Sequence, residues 1–316
     1  MRAVVEAPAR IHLGFHSPCR SGGRVLGGLG VAAKAPGLGV RVVVERSGGG
    51  LAAFGCDAAR AGEALREAVE RLGLGRGYRV YVEECLPRHV GLGSTTQLVL
   101  SVYAGLAALE GIDVEEAVEA AGRGPYSGVG TGVFLRGGLV VDAGARAGEA
   151  RARPALYARL PRRWRLVVVL PLSAPRGRPE GAAEDSAMHA LPGSGSPACL
   201  RARRAFLEKL LPGVAEGDFE AFVEALEYIE AATAEAFAPE QGGLFCCEES
   251  MEAAEALKNL GARGVGQSSW GPAVYGFFPS LRPALRAALA LAARLPRVRV
   301  YVAAVASAGA RVALLP

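Results

Sequence analysis

Residues 87–100 read PRHVGLGSTTQLVL, and this stretch decides the fold. The run before it, Tyr78–Glu83 (YRVYVE), alternates with the period of a half-buried strand. Gly91-Leu92-Gly93 then turns the chain, and Ser94, Thr95 and Thr96 open an apolar helix from Gln97 to Leu109. Glycine lets a backbone turn sharply and approach a ligand closely. Ser and Thr are expected to cap the helix, whose first N–H groups and positive dipole end suit a phosphate. His89 stands just before the turn, where an imidazole could donate to the same anion. Taken alone, a glycine turn before a helix is also an ordinary strand–turn–helix joint. It is not the P-loop of the usual NTPases, because no Gly-Lys-Ser/Thr follows.

Three more stretches share this character. Residues 2–15 alternate loosely as a strand and end in ARIHLGF, which carries Arg10 and His12. A glycine-rich connection follows at 21–30 around Arg24. His12 reads either as a strand histidine satisfied by nearby backbone or as a ligand contact. Arg24 reads either as a solvated loop charge or as a fork on an anion that the surrounding glycines let the backbone share. Gly122–Gly144 (GRGPYSGVGTGVFLRGGLVVDAG) places glycines before an expected hairpin of Val133–Leu135 and Leu139–Val141. Gly264–Gly276 (GVGQSSWGPAVYG) offers hydroxyls, an amide and an indole beside flexible backbone. An indole can stack on an aromatic substrate; the plainer alternative is a buried Trp270 at a strand bend.

The remaining chain fills in around these. Strands are expected at Gly39–Glu45, Leu166–Leu170, Val298–Val305 and Arg311–Leu315, and helices at 57–72, 113–121, 203–211, 218–237, 248–260 and 282–295. On 218–237 the residues Phe219, Phe222, Val223, Leu226 and Ile229 share one face, which reads as core. Residues 145–165 read as a crossover between domains. Ala174–Ala198, rich in Pro, Gly and Ser, reads as an exposed, mobile loop whose Glu184, Asp185 and His189 are loop polarity.

Bulk numbers set limits. The chain has 316 residues, 51% hydrophobic and 21% charged, which fits a globular protein of one large or two modest domains. No apolar run approaches a membrane span, and a proline and an arginine come too early for a signal peptide. A soluble, cytoplasmic protein is expected. The net charge of +5 is almost all arginine, since Lys34, Lys209 and Lys258 are the only lysines. Those arginines are scattered, so small anions rather than nucleic acid or membrane are the expected partners. None of the six cysteines forms a CxxC pair. Most read as buried, reduced thiols, with a disulfide open if the source is a hyperthermophile.

The motifs together resemble the GHMP kinase superfamily, in which a proline precedes a GLGSS-type phosphate loop. The longer strings HVGLGSTTQL, ARIHLGF and GQSSWGPxVYG are closer to one branch, the archaeal β-ribofuranosylaminobenzene (β-ribofuranosylphenol) 5′-phosphate synthases. Kinases of the superfamily carry SG[VI]D and use its aspartate to activate the acceptor. Here the segment is Ser127-Gly128-Val129-Gly130, as in the synthases. One departure is the loop before Arg24, where the synthases usually carry an acid and this chain reads His16-Ser17-Pro18.

The resemblance implies an α+β fold of two domains. Residues 1–160 would form the ribosomal protein S5 domain 2-like half, and 161–316 the ferredoxin-like half. It implies a reaction of phosphoribosyl pyrophosphate with 4-hydroxybenzoate or 4-aminobenzoate, releasing carbon dioxide and pyrophosphate, for methanopterin-type pterins. Gly91, Leu92, Gly93, Ser94, Thr95 and Thr96 would cradle pyrophosphate, with Mg²⁺ bridging its oxygens. Arg10, Arg24 and Arg123 would take the 5′-phosphate or the carboxylate. His89 or His12 would orient the pyrophosphate or accept a proton. Ser127, Gly128, Gln267, Ser268, Ser269 and Trp270 would contact substrate, and a homodimer is left open. Two alternatives stand beside this: an ATP-dependent GHMP small-molecule kinase, and a non-catalytic binder of nucleotides or phosphosugars.

Overall fold

The computed structural model describes the chain except Gly22, Leu26, Arg76, Pro125, Pro296 and positions 147–151 and 175–181. Parts of the glycine-rich connection, of the crossover and of the 174–198 loop, with the side chain of Asp185, therefore lie outside the described residues. The first strand, Arg2–Phe15, is the hub, pairing with Gly28–Lys34, Gly39–Ser47 and Arg311–Leu315. Side chains alternate across a strand, so Ala3, Val5, Ala7, Ala9, Ile11 and Leu13 all enter one buried core. Against that core lies the helix Ser94–Glu110, apolar on all sides and buried along nearly its whole length.

The second half is ferredoxin-like. Its antiparallel strands run in the order Arg263–Gln267, Val274–Phe278, Arg165–Pro171, Val298–Val305. Leu166, Val168, Tyr275 and Phe277 face the long helix Phe219–Gln241. Val167, Val169, Val274 and Phe278 face the helices Glu248–Asn259 and Leu281–Arg294. The two halves share one 12-stranded sheet among the described residues, joined where Ala304 and Val305 pair with Lys34 and Ala33. The division at residue 160 is not a clean break, because Arg311–Leu315 returns to pair with the first strand. No helix among the described residues is long and apolar enough to cross a membrane.

Four expectations need correction. Gly128–Arg136 is a helix and not the first limb of a hairpin. Val129 and Val133, four apart, pack together on Ala32 and Val140, and this helical spacing overrides the β-branched run. The crossover contributes the strand Pro154–Ala158, paired with Leu139–Asp142. The 174–198 loop contains the helix Ala182–His189, whose Ala187 and Met188 pack on Phe237 and Trp270. Four cysteines pair, Cys19 with Cys199 and Cys56 with Cys85, leaving Cys246 and Cys247 as thiols. The pairs are 180 and 29 residues apart, separations that carry no local signal.

Phe222 anchors the long helix. It is fully buried, with ring centroids 5.0 Å from Trp164 and 5.1 Å from Phe277. Phe222→Ala is expected to lower the unfolding free energy by about 3–5 kcal/mol, read from a urea titration. A loss below about 1 kcal/mol would mean that the aromatic cluster does not hold this helix.

Candidate active site

The face of the first strand opposite the core carries Arg10, His12 and Gly14, and all three line one cavity of about 1080 Å³. The loop between Gly77–Glu84 and Ser94–Glu110 forms a second wall. Its Gly91 and Gly93 take φ of +84° and +75°, and His89 itself takes +56°. Left-handed backbone at a non-glycine residue costs on the order of 1–3 kcal/mol and persists only where its surroundings impose it. Gly93 occupies the N-cap position with no side-chain cap, so Ser94 and Thr96 are not caps but lie buried in the first turn. That turn's N–H groups have no helical carbonyl to bond. The Thr95 hydroxyl accepts from Arg60 at 2.6 Å.

The third wall comes from the second half. The strand Arg263–Gln267 runs into a turn at 268–273 that is stitched to the loop. Ser268 Oγ donates to the Gly91 carbonyl at 2.7 Å and accepts the His12 N–H at 2.9 Å. The Ala273 N–H donates to the Val90 carbonyl at 3.2 Å, and Arg10 reaches the Gly91 carbonyl at 3.2 Å. Ser269, beside the stitch, also has left-handed backbone, at φ +57°. Gln267 is held by its own contacts, donating to the Ser269 carbonyl and accepting from the Cys246 N–H.

The cavity gathers most of the residues singled out in the sequence. Arg10, His12, His89, Gly91, Gly93, Ser94, Thr95 and Thr96 line it, as do Arg123, Ser127, Gln267, Ser269 and Trp270. Four others do not. Leu92 is buried in the core, although its carbonyl accepts from the Arg10 N–H. Gly128 packs on Asp142, and Ser268 is fully buried as a brace. Arg24 is a correction: its guanidinium donates to the carbonyls of Ala143 and Gly144, in the small sheet of Arg20–Ser21, Arg24–Val25 and Ala145–Arg146. There it braces the turn after Asp142, whose carboxylate accepts the N–H groups of Gly28 and Gly144.

Sequence reasoning missed one wall. Glu230, Thr233, Ala234 and Phe237 form a stripe on the long helix that lines the cavity. A signal existed: Glu230 falls four residues after Leu226 and seven after Val223, on an otherwise buried face. Phe15, Phe237 and Trp270 form an aromatic corner, with centroids 5.4 Å apart for the first pair and 5.2 Å for the second. Glu184, read as loop polarity, lines the cavity and accepts the Trp270 indole N–H at 3.2 Å. His189 is exposed, as read.

Burial sets the protonation states. Burial, assisted by the Arg10 charge, pushes His12 down to about 3, so its imidazole is neutral and a weak base. That makes His12 a poor base in this structure and favours the orienting role of the two read for it. Burial raises Glu230 to about 8, against the opposing hydrogen bonds from Tyr275 and the Gln267 N–H. The positive character of the loop end thus comes from Arg10 and the helix terminus. Arg10→Ala is expected to weaken binding of inorganic pyrophosphate about tenfold or more, some 1.4 kcal/mol by calorimetry. Arg24→Ala should leave it within about twofold. Equal losses would return Arg24 to the site.

Comparison with known proteins agrees with this architecture. Residues 58–134 match the GHMP kinases N terminal domain family, and residues 210–297 the GHMP kinases C terminal family. A β-ribofuranosylphenol 5′-phosphate synthase of Archaeoglobus fulgidus is 30% identical over 295 residues, covering 86% of each chain. One of Methanothermobacter thermautotrophicus is 27% identical over 304 residues, covering 86% of this chain and 87% of the relative. The crystal structure of homoserine kinase from Cytophaga hutchinsonii superposes with a TM-score of 0.66 at 18% identity, covering 99% of this chain and 97% of that one, a likeness of fold. The chain belongs to the GHMP kinase superfamily, in the family of the β-ribofuranosylphenol 5′-phosphate synthases.

Proposed function

We propose that this protein is a phosphoribosyl transferase joining phosphoribosyl pyrophosphate to 4-hydroxybenzoate, with loss of pyrophosphate and carbon dioxide, in the cytoplasm and in the making of a methanopterin-type pterin. The relatives' name specifies a phenol product, which favours the hydroxy acid over 4-aminobenzoate. One observation carries the reading: a single cavity joins the phosphate loop to the aromatic corner of Phe15, Phe237 and Trp270. A polyanion and an aromatic ring can therefore be held side by side.

The chemistry follows from the walls. Arg10 and the first turn of Ser94–Glu110 would hold the pyrophosphate, stabilising charge as the bond to the anomeric carbon breaks. Among the described residues no group of three or more His, Cys, Asp or Glu is placed to hold a metal. The hydroxyls of Ser94 and Thr96, which line the loop end of the cavity, are the oxygen donors the protein would offer to a Mg²⁺ carried in with the pyrophosphate. When bound, it would neutralise the leaving group. Arg123 is the candidate for the remaining anionic group. The aromatic corner would orient the ring and exclude water.

The kinase alternative meets an obstacle at Gly130. A side chain there would start 3.0 Å from the Thr96 methyl, inside the loop itself. The Gly130 carbonyl also accepts from Gln97 at 3.0 Å. At the position where the superfamily's kinases carry their aspartate, a side chain would thus need Thr96 to give way by a few tenths of an ångström. Carboxyl-labelled 4-hydroxybenzoate with phosphoribosyl pyrophosphate and Mg²⁺ is expected to release labelled carbon dioxide, and with ATP none. Phosphorylation of an alcohol by ATP without decarboxylation would sink the transferase and promote the kinase.

A further inference from the structure

The scheme above uses none of the glutamates that line the cavity, Glu184, Glu227, Glu230 and Glu235, and only Glu230 among them is buried. Glu230 is buried, and its two oxygens lie against two glycines from opposite halves of the molecule. A side-chain carbon at Gly14, on the first strand, would sit 2.9 Å from one oxygen. At Gly266, on the edge strand, it would sit 2.4 Å from the other. The space for the carboxyl group therefore exists only because both positions lack side chains. The Tyr275 hydroxyl donates to Oε1 at 2.8 Å, and the Gln267 N–H also donates to the carboxylate. One turn on, Thr233 accepts the Phe15 N–H at 2.9 Å, which fixes this stripe of the helix against the aromatic corner.

We propose that Glu230 is the proton-transfer group of this site, a catalytic residue that takes the acceptor's phenolic proton during carbon–carbon bond formation and returns it when carbon dioxide leaves. The inference rests on the phosphoribosyl-transfer reading. The ring carbon bearing the carboxylate supplies an electron pair to the anomeric carbon, while the bond to pyrophosphate breaks with its pair. The phenolic O–H breaks, its pair forms the C=O of a cyclohexadienone, and the proton resides on Glu230. The bond to the carboxylate then breaks, its pair restores the aromatic ring, and the oxygen recovers the proton from Glu230. No net proton is consumed and nothing is oxidised or reduced.

His12 and the three other carboxyl groups of the cavity fit this role less well. His12 is held down to about 3 beside Arg10. Glu227 pairs with Arg263 at 2.8 Å, and Glu235 with Arg201. Glu184 accepts from Trp270. The Tyr275 hydroxyl faces Glu230 directly, and Arg10 and His12 line the same cavity from the first strand. Burial brings Glu230 to about 8, closer to the pKa of a phenol, which is the range in which proton exchange with one is efficient.

The test compares wild type, E230Q and Y275F for carbon dioxide release across pH. E230Q is expected to lose on the order of 100-fold or more in kcat, with KM for both substrates changed less than about threefold. A 4-hydroxybenzoate fluorinated at all four free ring positions, whose phenol is already ionised at neutral pH, should narrow that gap to about tenfold or less. In wild type the rate should rise with pH as Glu230 loses its proton. Y275F removes a donor that favours the charged form, so the acid limb of its profile should move to higher pH. E230Q at wild-type kcat, or a loss that the acidic phenol does not narrow, would overturn the role of Glu230 alone. Wild type that releases no carbon dioxide would overturn the transferase reading, and this proposal with it. If E230Q does not fold, an unmoved Y275F profile would decide against the proposal.

Discussion

The hydroxyl of Ser268 holds this site together. It is fully buried, yet it donates to the carbonyl of Gly91 and accepts the N–H of His12. It so joins the turn of the second half to the phosphate loop and the first strand, across 177 and 256 residues. Removing it would leave a buried carbonyl and a buried N–H without this partner, at about 1–3 kcal/mol for each group left unsatisfied. The approach also requires Gly91, where a side-chain carbon would fall 2.1 Å from the Ser268 carbonyl oxygen. The cavity exists because these three strings of sequence close on one another.

From that closure follows a division of charge. At the loop end Arg10 and the open helix terminus would hold the polyanion of the proposed reaction, and the same Arg10 helps keep His12 neutral. Towards the long helix the walls become aromatic at Phe15, Phe237 and Trp270, and burial there pushes a carboxyl group up rather than down. A kinase would want its acid beside the phosphate loop. This chain puts glycine there, against Thr96, and keeps a raised carboxyl group on the other side of the cavity.

Much of this was legible in the sequence. The strand–turn–helix unit follows from local pattern, whereas the ferredoxin-like half and the grouping of Arg10, His89, the loop and the GQSSW turn come from the family resemblance, and the structure has those residues lining one cavity. What the pattern hid was long-range. Arg24 looked like an anion fork because glycines surround it, but the partners that occupy it lie more than a hundred residues away. Val133–Leu135 reads as strand by composition, and only its packing on Ala32 and Val140 makes it helix. Glu230 was passed over because its helix was read for its apolar face alone. The cap at Ser94 and Thr96 failed for a local reason: Gly93 in the left-handed region starts the helix one residue earlier.

The central claim is that the anomeric carbon becomes bonded to the ring carbon that loses its carboxylate. Phosphoribosyl pyrophosphate labelled with carbon-13 at the anomeric position, incubated with 4-hydroxybenzoate labelled at the ring carbon bearing the carboxylate, tests this by NMR of the product. The expected result is a one-bond carbon–carbon coupling between the two labels. A product whose labels are uncoupled, with the sugar on oxygen or the carboxylate retained, would contradict it.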